Sequence, residues 1–110
     1  MKKILISVAK QFSETPSGRY LTDGPFSGER FRDELLYPNL MKFDSVEIDL
    51  DGTLGYGSSF LEEAFGGLIR EKKISIDILN QKLHIISSRK LYQERIWNYI
   101  EDAAAQIKKS

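Results

Sequence analysis

The sequence predicts an α/β domain in which helices cover a mostly parallel sheet, and two observations carry that reading. The segments Lys2 to Val8, Val46 to Leu50 and Lys82 to Ser88 are rich in branched aliphatics or alternate apolar with polar residues, as strands do. Between and after them, apolar residues recur at helical spacing, and parallel neighbours need such crossover connections whereas antiparallel ones need only a turn. The chain has 110 residues, 41% apolar and 29% charged. That suits one domain over residues 1–110, large enough to bury about two-thirds of the surface its unfolded chain exposes.

Lys2 to Val8 forms the first strand. The leading Met1-Lys2-Lys3 has the charge of a signal peptide, but Ser7 and Lys10 break the apolar run that would have to follow. Polar and turn-forming residues from Gln11 to Gly18 interrupt any period. Arg19-Tyr20-Leu21 offers a short extended piece before Thr22-Asp23-Gly24-Pro25 turns the chain, which together read as a loose hairpin. Ser27 is placed to cap a helix over Gly28 to Leu36, with Phe31, Leu35 and Leu36 on one face and Tyr37-Pro38 as its stop.

Val46, Ile48 and Leu50 alternate with Glu47, Asp49 and Asp51 in a second main strand that Gly52 ends. After a glycine-rich connection, Ser58 or Ser59 is expected to cap a helix carrying Phe60, Leu61, Ala64, Phe65, Leu68 and Ile69. A short helical turn from Ile76 to Asn80 follows, then a strand from Lys82 to Ser88. A final helix from Arg89 to Lys108 bears Tyr92, Ile96, Tyr99, Ile100, Ala103 and Ile107 on its apolar face.

Sixteen basic and sixteen acidic residues cancel, with no long block of either sign, so no broad field draws the chain to nucleic acid or anionic lipid. The absence of cysteine excludes disulfides, thiolate zinc sites and a cysteine nucleophile, and a single histidine excludes His-rich metal sites. Nothing approaches the roughly twenty apolar residues of a membrane span. A soluble, cytoplasmic protein is expected.

Asp49-Leu50-Asp51-Gly52-Thr53 resembles the opening of many aspartate-nucleophile phosphatases. On that resemblance Asp49 would attack phosphorus, Asp51 would handle the leaving-group proton, and both would bind magnesium with the Leu50 carbonyl. Ser87-Ser88 and Lys90 would supply the later motifs. Against it, Glu101-Asp102 falls inside a predicted helix where a strand end is needed, and the short loop from Thr53 to Phe60 leaves no room for a cap. Strand-end carboxylates also commonly bond loop N–H groups.

A longer likeness lies across Val46 to Leu61, which resembles the strand, loop and helix start of STAS domains, the fold of anti-sigma factor antagonists. Gly18-Arg19-Tyr20, Asp23-Gly24-Pro25, Ser27 to Arg32 and Ser58 to Leu68 further resemble a bacterial family of STAS-like domains of unknown function. The resemblance implies a four- or five-stranded, mostly parallel mixed sheet with helices, no cofactor, and a non-enzymatic role in signalling through protein–protein interaction. In the antagonists a serine at the helix start is phosphorylated by an ATP-dependent kinase that is also the partner. Ser59 holds that position, preceded by Ser58, although Gly57 stands where the antagonists place an aspartate.

The implied partner is a protein, a histidine-kinase-like ATPase by analogy. It would dock on Gly55, Tyr56, Gly57, Phe60, Glu62 and Glu63, with Arg19 and Tyr20 as a neighbouring contact or simply a stable turn. Gly66-Gly67 costs about 1 kcal/mol per glycine relative to alanine in a helix, so close packing, most simply against the sheet, is expected there. His84 reads as structural. Trp97 and Tyr99 offer either core packing or a face for a homodimer or partner.

Overall fold

A computed structural model of the chain describes residues 1–109. Three strands form one parallel sheet in the order β1 (Lys3–Ser7), β2 (Ser45–Asp49), β3 (Leu83–Ile86). Lys3 lies opposite Ser45 and Ser7 opposite Asp49; Val46 lies opposite Leu83 and Asp49 opposite Ile86. Because the strands follow one another in sequence order, right-handed crossovers put the intervening helices on the same side of the sheet. The burial follows: Ile6, Val46, Ile48, Leu83 and Ile85 face the helices and are buried, while the alternate residues face away.

The sheet is thus smaller than the four or five strands implied by resemblance, and entirely parallel. The expected extended piece at Arg19 to Leu21 is not a strand. Its backbone is committed elsewhere: the carbonyls of Gly18 and Arg19 accept the N–H groups of Gly28 and Glu29, and the N–H groups of Arg19 and Tyr20 go to the Asp23 carboxylate. A 3₁₀ turn at Leu21–Asp23 takes the place of the second hairpin arm.

After the short α1 (Val8–Gln11), the first crossover helix, α2, begins as expected with the Ser27 hydroxyl accepting the Arg30 N–H. It does not stop at Pro38. An α-helical segment Gly28–Phe31 passes into a π-helical turn at Arg32–Leu36 and then into Tyr37–Lys42. A proline in a helix lacks one N–H and pushes against the preceding turn; here the wider π turn, closed by the Tyr37 N–H on the Arg32 carbonyl, comes just before it. The helix ends at Phe43, where the backbone turns extended into β2.

The second crossover has the same construction. Helix α3 runs through Ser58–Leu61, a π-helical turn at Glu62–Gly66, and Gly67–Arg70. Helix α4 (Ile76–Lys82), capped by the Ser75 hydroxyl on the Ile78 N–H, leads into β3. Helix α5 (Lys90–Lys109) closes the domain against α3.

The core lies between sheet and helices. Phe31, Phe60, Phe65, Leu68, Ile96 and Ile100 are fully buried there, and Phe12, Phe31 and Phe60 form one aromatic cluster with centroid separations of 5.3 to 6.3 Å. Two glycines set the approach of α2 to α3. A Cβ on Gly28 would fall on the Phe60 carbonyl, and one on Gly67 would fall on the Arg32 guanidinium. Gly66 lies against the Tyr99 carbonyl of α5. The glycine pair therefore makes room for neighbouring helices, not for the sheet. No helix among the described residues is long and apolar enough to cross a membrane.

Candidate functional site

The loop between β2 and α3 forms the rim at the carboxyl end of the sheet. Asp49 accepts the Asp51 N–H at 3.0 Å, which folds the chain back as soon as the strand ends. One oxygen of Asp51 accepts both the N–H and the hydroxyl of Ser88, each at 2.9 Å, and so ties this loop to the one that precedes α5. Gly52 and Gly55 take φ values of 96° and 135°, which admit glycine readily and strain other residues.

Tyr56 anchors the loop from beneath. Its ring is buried edge-on to Tyr92 at 5.2 Å, and its hydroxyl donates to the Leu50 carbonyl at 2.8 Å. Burial pushes its phenol up to about 12. With Tyr56 held inside, Leu54 is turned outward and left 86% exposed. Between the loop and the start of α5 lies a cavity of about 340 Å³ bordered by Asp51, Thr53, Ser88, Arg89 and Tyr92.

Ser58 and Ser59 occupy the first turn of α3 and are both exposed. Neither caps the helix. Gly57 is the cap residue, with extended backbone and no side-chain bond, so the two hydroxyls lie just inside the helix with no partner in the chain among the described residues.

One helical turn further on, Glu62 and Glu63 are enclosed by arginines. Glu62 bonds Arg19 at 2.5 Å and Arg70 at 2.8 Å. Glu63 bonds Arg32 at 2.7 Å, Arg70 at 3.2 Å and Arg19 at 3.3 Å. Arg32 also donates to the Glu63 carbonyl at 2.9 Å and to Asp33 at 2.9 Å. Burial acts to raise the Glu62 carboxyl, but the hydrogen bonds from Arg70 and Arg19 outweigh it and hold the group below its ordinary value. Arg19 thus fastens the Gln11 to Ser27 connection across α3.

Of the residues expected at a docking surface, Gly55 and Gly57 lie on the rim together with the two candidate phosphorylation serines. Tyr56 and Phe60 do not: both are buried and belong to the core. Glu63 is buried among arginines, and Arg19 serves the ion network, while Tyr20 stands exposed beside it. Among the described residues, no three histidine or carboxylate side chains are grouped so as to hold a metal ion.

Arg70 is not marked by the sequence pattern, Arg32 enters only as part of the Ser27 to Arg32 likeness, and Ser88 only as part of a phosphatase motif, none of them as a partner of these carboxylates. Arg32 follows directly on the apolar Phe31, and Arg70 lies two turns beyond Glu62 and Glu63 on α3, a spacing that places long side chains on one face. The spacing alone does not say which charges meet.

No curated protein and no solved structure matches the chain significantly. The family model described as STAS-like domain of unknown function (DUF4325) matches residues 27–93, a span that takes in α2, β2, the rim, α3, β3 and the start of α5. The chain belongs to this family of STAS-like domains.

Proposed function

We propose that this domain is a non-enzymatic interaction module of the cytoplasm, which docks a signalling protein on the rim formed by Gly52 to Ser59 and is regulated by phosphorylation of Ser59 or Ser58. The observation that carries the reading is the pair of exposed hydroxyls in the first turn of α3, free of any capping duty, beside the outward-turned Leu54. A phosphate there would meet unpaired N–H groups at a helix start and would be favoured by the helix dipole. It would also stand one turn from Glu62 and Glu63, whose charge Arg19 and Arg70 already offset.

The partner is, by family analogy, a histidine-kinase-like ATPase that would also be the kinase. A non-catalytic role for the rim is supported by what its carboxylates already do: Asp49 shapes its own loop and Asp51 ties two loops together.

Mass spectrometry of the protein purified from its native cell, with its bound partners, tests both halves of this reading. Phosphate on Ser58 or Ser59, an ATPase in the eluate, and loss of that ATPase from Ser59→Asp but not Ser59→Ala are expected. Equal binding by the two variants removes the switch. Magnesium-dependent turnover of a generic phosphate ester that vanishes in Asp49→Asn would replace the whole reading with a phosphohydrolase.

A further inference from the structure

Parallel sheets are ordinarily covered on both faces, because their crossover connections lie on them. In this chain the sequential strand order puts the crossover helices on one face, and on the other Lys3, Leu5, His84 and Ile86 are exposed while Ser7, Glu47 and Asp49 are half-buried. Three rows cross this second face: Lys3 and Ser45 in the first, Leu5, Glu47 and His84 in the second, and Ser7, Asp49 and Ile86 in the third. Leu5 is 54% and Ile86 38% exposed, and between them the central strand carries the two carboxylates.

Glu47 has no hydrogen-bond or ion-pair partner among the described residues, and Asp49 uses one oxygen, on the Asp51 N–H. Residues two apart on a strand share a face about 7 Å from each other, so the two carboxylates form a short acidic column on the central strand, with Leu5 and His84 on either side of Glu47, Ser7 and Ile86 on either side of Asp49, and Lys3 on the row below. Beside its upper end, a groove of about 450 Å³ runs between α1 and the rim, with Leu5, Asp49, Asp51 and Lys10 among its walls.

We propose that this face, turned away from the crossover helices, is a docking surface for one basic amphipathic helix of a partner protein. The acidic column argues for a cationic occupant and against a second copy of the chain, since a two-fold axis through the face would bring the carboxylate columns together. The edges argue against an added strand. Gln11 accepts the Ser7 N–H at 2.7 Å on the outer side of β1, and Gln93 donates to the Ile85 carbonyl at 3.1 Å on the outer side of β3, so each free edge is partly closed by a glutamine.

The dimensions suit a helix, too. Three strands span about 10 Å from first to last, the diameter of a single helix. Apolar residues of the occupant would rest on Leu5 and Ile86, and lysine or arginine side chains between them would meet Glu47 and Asp49. This surface adjoins the serine rim at Gly52 but does not include Ser58 or Ser59, and it does not depend on phosphorylation.

The test uses two labelled 18-residue helical peptides, one with a leucine stripe flanked by lysines and its counterpart with glutamates, titrated by fluorescence anisotropy against the full chain. The lysine peptide is expected to bind and the glutamate peptide to bind at least tenfold more weakly. Glu47→Lys and Leu5→Asn, both surface changes whose fold is checked by circular dichroism, are each expected to weaken the lysine peptide tenfold or more. Amide shifts on binding should fall on β1, β2 and β3. Absence of binding, equal binding of both peptides, indifference to the two variants, or shifts confined to α5 would overturn the proposal. So would sedimentation showing a dimer that Leu5→Asn dissociates.

Discussion

Arg32 and Glu63 form a 2.7 Å ion pair in which the side chains are only 4% and 5% exposed, and each residue sits in a π-helical turn of its own helix. The pair is where α2 and α3 are fastened together, with Gly67 supplying the space in which the guanidinium lies. Removing Glu63 leaves the buried Arg32 with only the half-exposed Asp33 as counter-charge, and breaking a buried pair costs up to about 3–5 kcal/mol. Glu63→Ala is therefore expected to lower the unfolding free energy by up to that amount, read as a drop in the urea midpoint at unchanged m. Arg32→Met combined with Glu63→Met is expected to recover most of the loss, because apolar replacements of a buried pair are often neutral. A double variant no more stable than Glu63→Ala would show that the pair is not the fastening.

Glu62 gives the domain a dependence on acid. Its carboxyl is held below the ordinary value of 4.5 by Arg70 and Arg19 against the opposing effect of burial. A group depressed in the folded state contributes stability that is present above its unfolded value and lost as pH falls through its folded one. Urea midpoints should accordingly fall as pH drops below 4.5. Glu62→Gln should flatten that part of the profile, and an unchanged slope would assign the effect to other carboxylates.

Four serines at the starts of α2, α3 and α4 should separate into two classes. Ser27 and Ser75 accept backbone N–H groups of their helices, so replacement by alanine is expected to cost about 1 kcal/mol each. Ser58 and Ser59 make no such bond, and alanine there should change stability by less than about 0.5 kcal/mol. Thermal melts of the four variants decide it. A substantial loss at Ser59 would restore the capping role that its position in the sequence suggests.

Gly28→Ala opposes propensity to packing. Alanine favours a helix over glycine by about 1 kcal/mol. The added methyl, however, would fall on the Phe60 carbonyl and lie 3.2 Å from the Ala64 nitrogen, both backbone atoms of α3. The clash should prevail, destabilising the domain by about 1–3 kcal/mol in equilibrium unfolding. A stabilised variant would mean that the two helices can separate without loss.

The sequence by itself determined what is local. Alternation located β2, aliphatic runs located β1 and β3, the helical stripe of α5 matched its buried face through Ile96 and Ile100, and the Ser27 hydroxyl marked a true helix start. The rim after β2 was legible as well, because its glycines and serines declare a turn and a helix start. Only the tertiary structure decided how many strands the sheet has, since Arg19 and Tyr20 spend their backbone groups on α2 and Asp23 instead of a ladder. It alone carried α2 past Pro38, through a π turn, and buried Tyr56 and Phe60 where exposure was expected. The reason is distance along the chain: periodicity reports the surroundings of a few neighbouring residues, whereas Arg19 meets Glu62 and Arg32 meets Glu63 across 43 and 31 positions, and such pairings exist only once helices have packed.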